Sequence, residues 1–219
     1  MSRRPPVILT WLLCLLWLLP STARTQEETY VVEAGRSVLH WRIYRSGPLA
    51  ERGHNHVIAA RGLSGEVSLV HGGPTRFTLT IPVTRLEVDN PALRRRYGPD
   101  FNTGISEQDR TGTRINMLGP ALLNSARFPQ IRLDGTTTIA PDKGTQQVSI
   151  PVNIDIAGRR VRVQVPATVQ HNGRSLRARG TFSLTHRQLG LKPFSAVMGA
   201  LRVAERIDFT FDIRATAPR

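Results

Sequence analysis

His54 and His56, in the segment Gly53-His54-Asn55-His56-Val57, are the chain's one pair of histidines two residues apart. On a strand that spacing sends both imidazoles to one side, close enough to share a metal ion or an acidic headgroup. Two ligands do not make a complete site, so His186, Asp100 or Glu107 would have to join through the fold. Contact with a ligand's polar group and plain structural hydrogen bonding are the competing roles. The letters H-N-H do not indicate a nuclease, which needs a much longer pattern. Arg94-Arg95-Arg96 is the compact basic run, and its guanidinium forks suit a phosphate or lipid headgroup; a solvated helix face is the plainer reading. Arg114 and Asn116 are candidates of the same kind. Catalysis finds little support. Ser195 sits in Pro193-Phe194-Ser195-Ala196 without a nucleophile elbow, Asp208 and Asp212 face outward on a strand, and no phosphate loop or dinucleotide fingerprint follows a strand.

The elements that must position these residues are strands. From Glu205 to Arg214, Ile207, Phe209, Phe211 and Ile213 share one face, and Asp208, Thr210, Asp212 and Arg214 the other, as in a half-buried antiparallel strand. The same period of two runs through Leu39, Trp41 and Ile43; Leu63 to Leu69; Phe77, Leu79, Ile81 and Val83; Ile131 and Leu133; Val148 to Ile156; Val161 to Val169; and Leu176 to Leu184. With a weak strand near Tyr30 to Val32, about eight or nine strands are predicted. Ala157-Gly158-Arg159 and His171-Asn172-Gly173-Arg174 read as hairpins of an up-and-down meander. Pro82, Pro151 and Pro166 fall on polar faces, which suits edges, bulges or barrel mouths. Between Thr84 and Phe128 the alternation stops. Asn90-Pro91 opens a short helix running to Arg96, and Ser106 caps another spanning Glu107 to Leu118, stopped by Gly119-Pro120. Such a crossover could cover one end of a barrel.

Residues 1–23 read as a secretory signal peptide: Arg3 and Arg4, an apolar run from Val7 to Leu19, then Ser21 and Ala23 before the cleavage point. Cys14 lies in that run, so the mature chain has neither disulfide nor thiol chemistry. The remaining residues, 24–219, suffice for one all-β domain. With Arg3 and Arg4 removed, 28 of the 30 Lys and Arg face 16 Asp and Glu, a net charge of +12 for the mature part against +14 for the whole. An anionic membrane surface, a phosphate-bearing ligand or simple solubility accounts for that charge; nucleic acid is excluded as the favoured partner, because export removes it and the arginines are scattered through strands.

In order and spacing, several segments together resemble the YceI-like family of periplasmic, polyisoprenoid-binding proteins. They are Ser37 to Tyr44, the histidine-containing loop before Ala60-Arg61-Gly62-Leu63-Ser64-Gly65, Met117-Leu118-Gly119 with Leu122, Arg127-Phe128-Pro129-Gln130-Ile131, the hairpin at Gly158, and Gly180 to Leu184 through Gly190 and Val203 to Ile213. The resemblance implies an all-β, antiparallel, lipocalin-like extended barrel whose apolar lumen takes a long isoprenoid chain, with the polar head near a mouth. It adds a ligand-lining role to Leu39, Trp41, Phe77, Leu79, Ile81, Phe182, Phe209 and Phe211, which a filled core would equally require. His54, His56, Arg94, Arg114, Asn116 and His186 become headgroup or mouth candidates. The family pattern carries arginine four residues before the glycine and an aromatic just before it; here His186 and Leu189 precede Gly190. The histidine-rich 53–57 element is a second departure. The expected function is an exported periplasmic binder or carrier of a quinone or polyprenyl phosphate type of lipid. A metal-dependent enzyme using His54 and His56, and a basic scaffold on anionic envelope surfaces, are the alternatives. No cofactor fingerprint is present, the implied ligand being the isoprenoid lipid itself. A homodimer is compatible with the chain, though no particular patch marks one.

Overall fold

The computed structural model describes residues 27–140 and 144–218. The expected signal peptide and Cys14 lie outside them. In chain order the first strands are β1 (Glu27–Val32), β2 (Val38–Ser46), β3 (His56–Ala60), β4 (Ser64–Val70), β5 (Thr75–Pro82) and β6 (Leu86–Val88). Helices α1 (Pro91–Arg94) and α2 (Glu107–Leu118) follow, then β7 (Gln130–Thr137), β8 (Thr145–Ile156), β9 (Arg159–His171), β10 (Ser175–Thr185), β11 (Ser195–Ala196) and β12 (Leu201–Thr216).

Eight strands close a ring. Antiparallel pairing runs β1-β4-β5-β7-β8-β9-β10-β12, and the end of β12 returns to β1 through Val31 with Thr216 and Val32 with Ala215. The rest of that edge of β12 pairs with β2, which carries β3 and then β6. The barrel wall is thereby extended beyond the ring by a three-stranded flap. The eight-strand antiparallel ring is the barrel expected from the sequence; the flap is the addition to it, and the physical reason it is not predicted lies in its pieces. β3 buries Val57, Ile58, Ala59 and Ala60 on both faces, so it shows no alternation, and its start at His56 lies in what reads from sequence as a loop. β6 and β11 are only three and two residues long.

The predicted hairpins are present. Ala157 and Gly158 both have positive φ, 48° and 75°, as the tight turn between β8 and β9 requires. Each proline has a paired neighbour on one edge only: Pro82 pairs with Gln130, Pro151 with Gln164 and Pro166 with Ser149, while on the other edge the ladders stop at Thr80, Val152 and Thr168. An edge without a partner suits a residue that has no N–H to donate.

Both predicted helices form with their caps. Asn90 Oδ1 accepts from the N–H groups of Ala92 and Leu93, and Ser106 Oγ accepts from that of Asp109 at 3.1 Å. Helix α2 is tied to the flap by Arg114, which donates to the carbonyls of Leu86 and Thr84. Its last turn and the loop beyond bring Met117, Leu122 and Leu123 across one end of the barrel.

Candidate functional site

Alternation along the ring strands sends one side chain in two inward, and those residues surround a lumen open to the centre of a water-sized sphere over about 210 Å³. A single water needs only about 10–15 Å³ on that measure, so this lumen is not a filled core. Leu39, Trp41, Phe77, Leu79, Ile81, Phe182, Phe209 and Phe211 all line it. The rings of Phe182 and Phe209 stack at 5.0 Å, Trp41 lies 5.9 Å from Phe209, and Phe211 meets Phe182 at 6.2 Å, edge on. An aromatic belt therefore crosses the lumen, built by the register that pairs Phe182 with Phe209 and Phe209 with Trp41.

Register also fixes the two ends. At one, Thr75 pairs with Thr137 and Leu176 leads to Ala215; at the other, Ile81 pairs with Ile131 and Leu184 with Ile207. The nine residues from Leu176 to Leu184 span roughly 27 Å of strand. Thr75, Thr137 and His186 are the polar residues of a lining that contains no charged side chain. Thr75 is buried, and its hydroxyl has no hydrogen-bond partner among the described residues. His186 is buried at the opposite end beside Leu189 and Leu191, and its Nδ1 lies 3.1 Å from the carbonyl oxygen of Glu205. Burial pushes its basicity down, outweighing the hydrogen bonds that favour the proton. With Nδ1–H donating to that carbonyl, the neutral ring keeps Nε2 as an acceptor.

The other candidates lie outside the lumen. His54 and His56 stand together, ring centroids 6.5 Å apart, as their spacing predicts. His56 Nδ1 is engaged at 2.6 Å by Asp89 Oδ2, whose other oxygen accepts from the Val57 N–H at 2.9 Å and from Arg94 at 2.6 Å. Arg94 further donates to the carbonyl of Asn55 and to Thr103. It is buried, while Arg95 and Arg96 are exposed. The cluster anchors the 89–103 segment against β3. Burial would raise the Asp89 carboxyl, but the contacts from His56, Val57 and Arg94 outweigh that and hold it low. No group of three or more His, Cys, Asp or Glu suited to a metal ion occurs among the described residues. Arg114 serves the α2 anchor described above, and Asn116 is exposed on α2.

A likeness to known proteins matches this geometry. The profile of the YceI-like domain family matches residues 30–215. The chain belongs to the YceI-like family. Among solved structures, the YceI-like barrel resembles a polyisoprenoid binding domain from Saccharophagus degradans implicated in plant cell wall breakdown, with 15% identity over 86% of this chain and 98% of that one and a TM-score of 0.57. It also resembles Burkholderia cenocepacia BcnA, with 16% identity over 84% of this chain and 99% of that one, again at 0.57. At such identity the likeness is one of fold. No curated protein matches the chain.

Within this YceI-like lumen, several residues escape sequence reasoning. Met117, Leu122 and Leu123 come from a segment without alternation, and Leu189 and Leu191 from the turn after β10. The Met117-Leu118-Gly119 and Leu122 elements carry the family resemblance, and that is the one signal available for them. Thr75 and Thr137 look like ordinary polar strand ends until the barrel closes around them.

Proposed function

We propose that this YceI-like protein is an exported, periplasmic carrier of a long, neutral isoprenoid lipid of the quinone type, held tail-inward in the barrel lumen. One observation carries the reading: the lumen is continuous, apolar and free of charged side chains along its length. A long hydrocarbon tail gains about 25 cal/mol per Å² of apolar area removed from water, before ordering costs. A polyprenyl phosphate would bring an anion into a wall without a cation, an expensive burial. Arg94 and Arg114, the sequence candidates for neutralising it, are committed to the Asp89 cluster and to α2.

The polar groups refine the choice. Neutral His186 offers an acceptor, which suits the hydroxyl of a quinol or polyprenol, and the unpartnered Thr75 hydroxyl suits a carbonyl or a second hydroxyl. The Saccharophagus degradans domain, described as polyisoprenoid binding, supports the ligand class, and the signal peptide at residues 1–23 supports export. Binding rather than catalysis is the proposed activity. Purification of the mature protein from its native envelope under mild conditions, followed by native mass spectrometry and solvent extraction, tests the reading. A stoichiometric neutral isoprenoid is expected. Protein that is lipid-free and binds no added isoprenoid, or that carries only polyprenyl phosphates, would overturn it.

A further inference from the structure

We propose that the tip between β11 and β12 is a docking surface for an anionic lipid bilayer, seating the His186 end of the lumen against the membrane. Phe194, Val197 and Met198 are exposed there, the last two by 60% and 106%. The other large exposed apolar residues among those described, Val31, Val38 and Ile115, are scattered elsewhere. A cluster of three on one tip is the pattern of an interaction site.

The backbone holds these side chains out. Val197 and Met198 both have φ of 50°, a left-handed conformation uncommon for any side chain and strained for a β-branched one. The base of the tip is fixed: Ala200 N–H donates to the Val197 carbonyl at 3.0 Å, and Leu49 N–H to the Ala200 carbonyl at 2.9 Å. Gly47 packs so closely there that a Cβ would lie 2.5 Å from the Ala200 oxygen.

Charge selects the partner. Arg52, Arg187, Lys192 and Arg202 are exposed around or beside the tip, and none forms an ion pair among the described residues, whereas Glu51 is bridged by Arg45. Apolar residues ringed by unpaired cations fit an anionic bilayer, the apolar groups entering the headgroup boundary and the cations meeting lipid phosphates. No described helix is long and apolar enough to span a membrane.

The tip adjoins the lumen. Leu191 lines its wall, and Phe194 is exposed only three residues later. Docking therefore brings the bilayer, where a long isoprenoid resides, next to the end of the cavity; this last step rests on the carrier reading.

Co-sedimentation of full-length mature protein with vesicles of phosphatidylglycerol and phosphatidylcholine, containing no isoprenoid, tests the surface. Wild type should bind them and should bind pure phosphatidylcholine vesicles about tenfold less, with affinity falling as salt rises. The double variant V197D/M198D should lose about tenfold or more on anionic vesicles, and K192E/R202E should lose the salt dependence. Both should still take up a polyprenyl quinone delivered from detergent. Wild type that ignores anionic vesicles, or V197D/M198D that binds them equally, would overturn the proposal. So would a wild-type dimer that this variant dissociates, since the tip would then be covered by a second copy. Vesicle binding by a protein that takes up no isoprenoid would uphold the docking surface and overturn the carrier reading alone.

Discussion

His40 on β2 and Asp208 on β12 are buried where the flap joins the ring, and they set how the fold responds to acid. His40 bonds Tyr97 through Nε2, and burial, then the nearby Arg42, Arg96 and Arg61, push its basicity down to about 4. The unfolded chain takes up that proton below about pH 6.5, so stability is full above that pH and declines below it. Urea midpoints should register a loss of about 2 kcal/mol between pH 7 and pH 5 from this group, a loss that His40→Asn removes; His186, shifted the same way, adds to it. Asp208 behaves oppositely. Burial would raise its carboxyl, but hydrogen bonds from Arg206, Ser183 and Tyr44 overcome that and hold it at about 2. Its contribution is present above the unfolded value near 3.8 and disappears as pH falls toward 2, so Asp208→Asn should cost about 2 kcal/mol at pH 7 and little near pH 2. Thr75 carries a different expectation. Its buried hydroxyl lacks a partner, so Thr75→Val should stabilise the ligand-free protein by about 1 kcal/mol in thermal or urea unfolding, while weakening retention of a ligand whose polar atom it meets.

Among the elements, β10 and β12 are held in register by a close approach. A Cβ at Gly180 would stand 2.5 Å from the Pro166 carbonyl and 2.9 Å from the Phe211 ring, so that ring lies flat across the glycine. Gly180→Val should displace the aromatic belt and cost more than about 2 kcal/mol, seen as a lowered denaturation midpoint or loss of soluble protein. Elements differ in how plainly the sequence announces them. A strand half facing a lumen and half facing water must alternate, so β2, β5, β7 to β10 and β12 are readable, and with them all eight predicted lumen residues. α2 is readable to the residue because Ser106 and Gly119-Pro120 supply both stops. β3 is not, because 89–103 covers the face that solvent would otherwise meet. The fate of His56 and Arg94 was hidden for a related reason: their shared partner, Asp89, is 33 residues beyond His56 and sits at φ 54°, a position no periodicity indicates. Spacing did place the two imidazoles side by side; what occupies them is a tertiary matter.

At the scale of the whole molecule, the closed ring, the flap and the α2 crossover together wall an apolar lumen with His186 at one end and Thr75 at the other. That lumen carries its own reporter. The chain has three tryptophans, and Trp11 and Trp17 fall within the proposed signal segment, so that its removal would leave Trp41 in the lumen wall as the single tryptophan. Titration of the mature, lipid-stripped protein with a polyprenyl quinone, followed by Trp41 fluorescence, tests the central claim most directly. Saturable quenching at one ligand per chain is the expected result. Quenching and retention of added ligand should both be lost in Ala178→Phe, whose side chain fills the lumen without adding a second tryptophan, and unchanged when His54 and His56 are both replaced by alanine. Quenching that never saturates, or a ligand retained equally well by the lumen-filled variant, would contradict it.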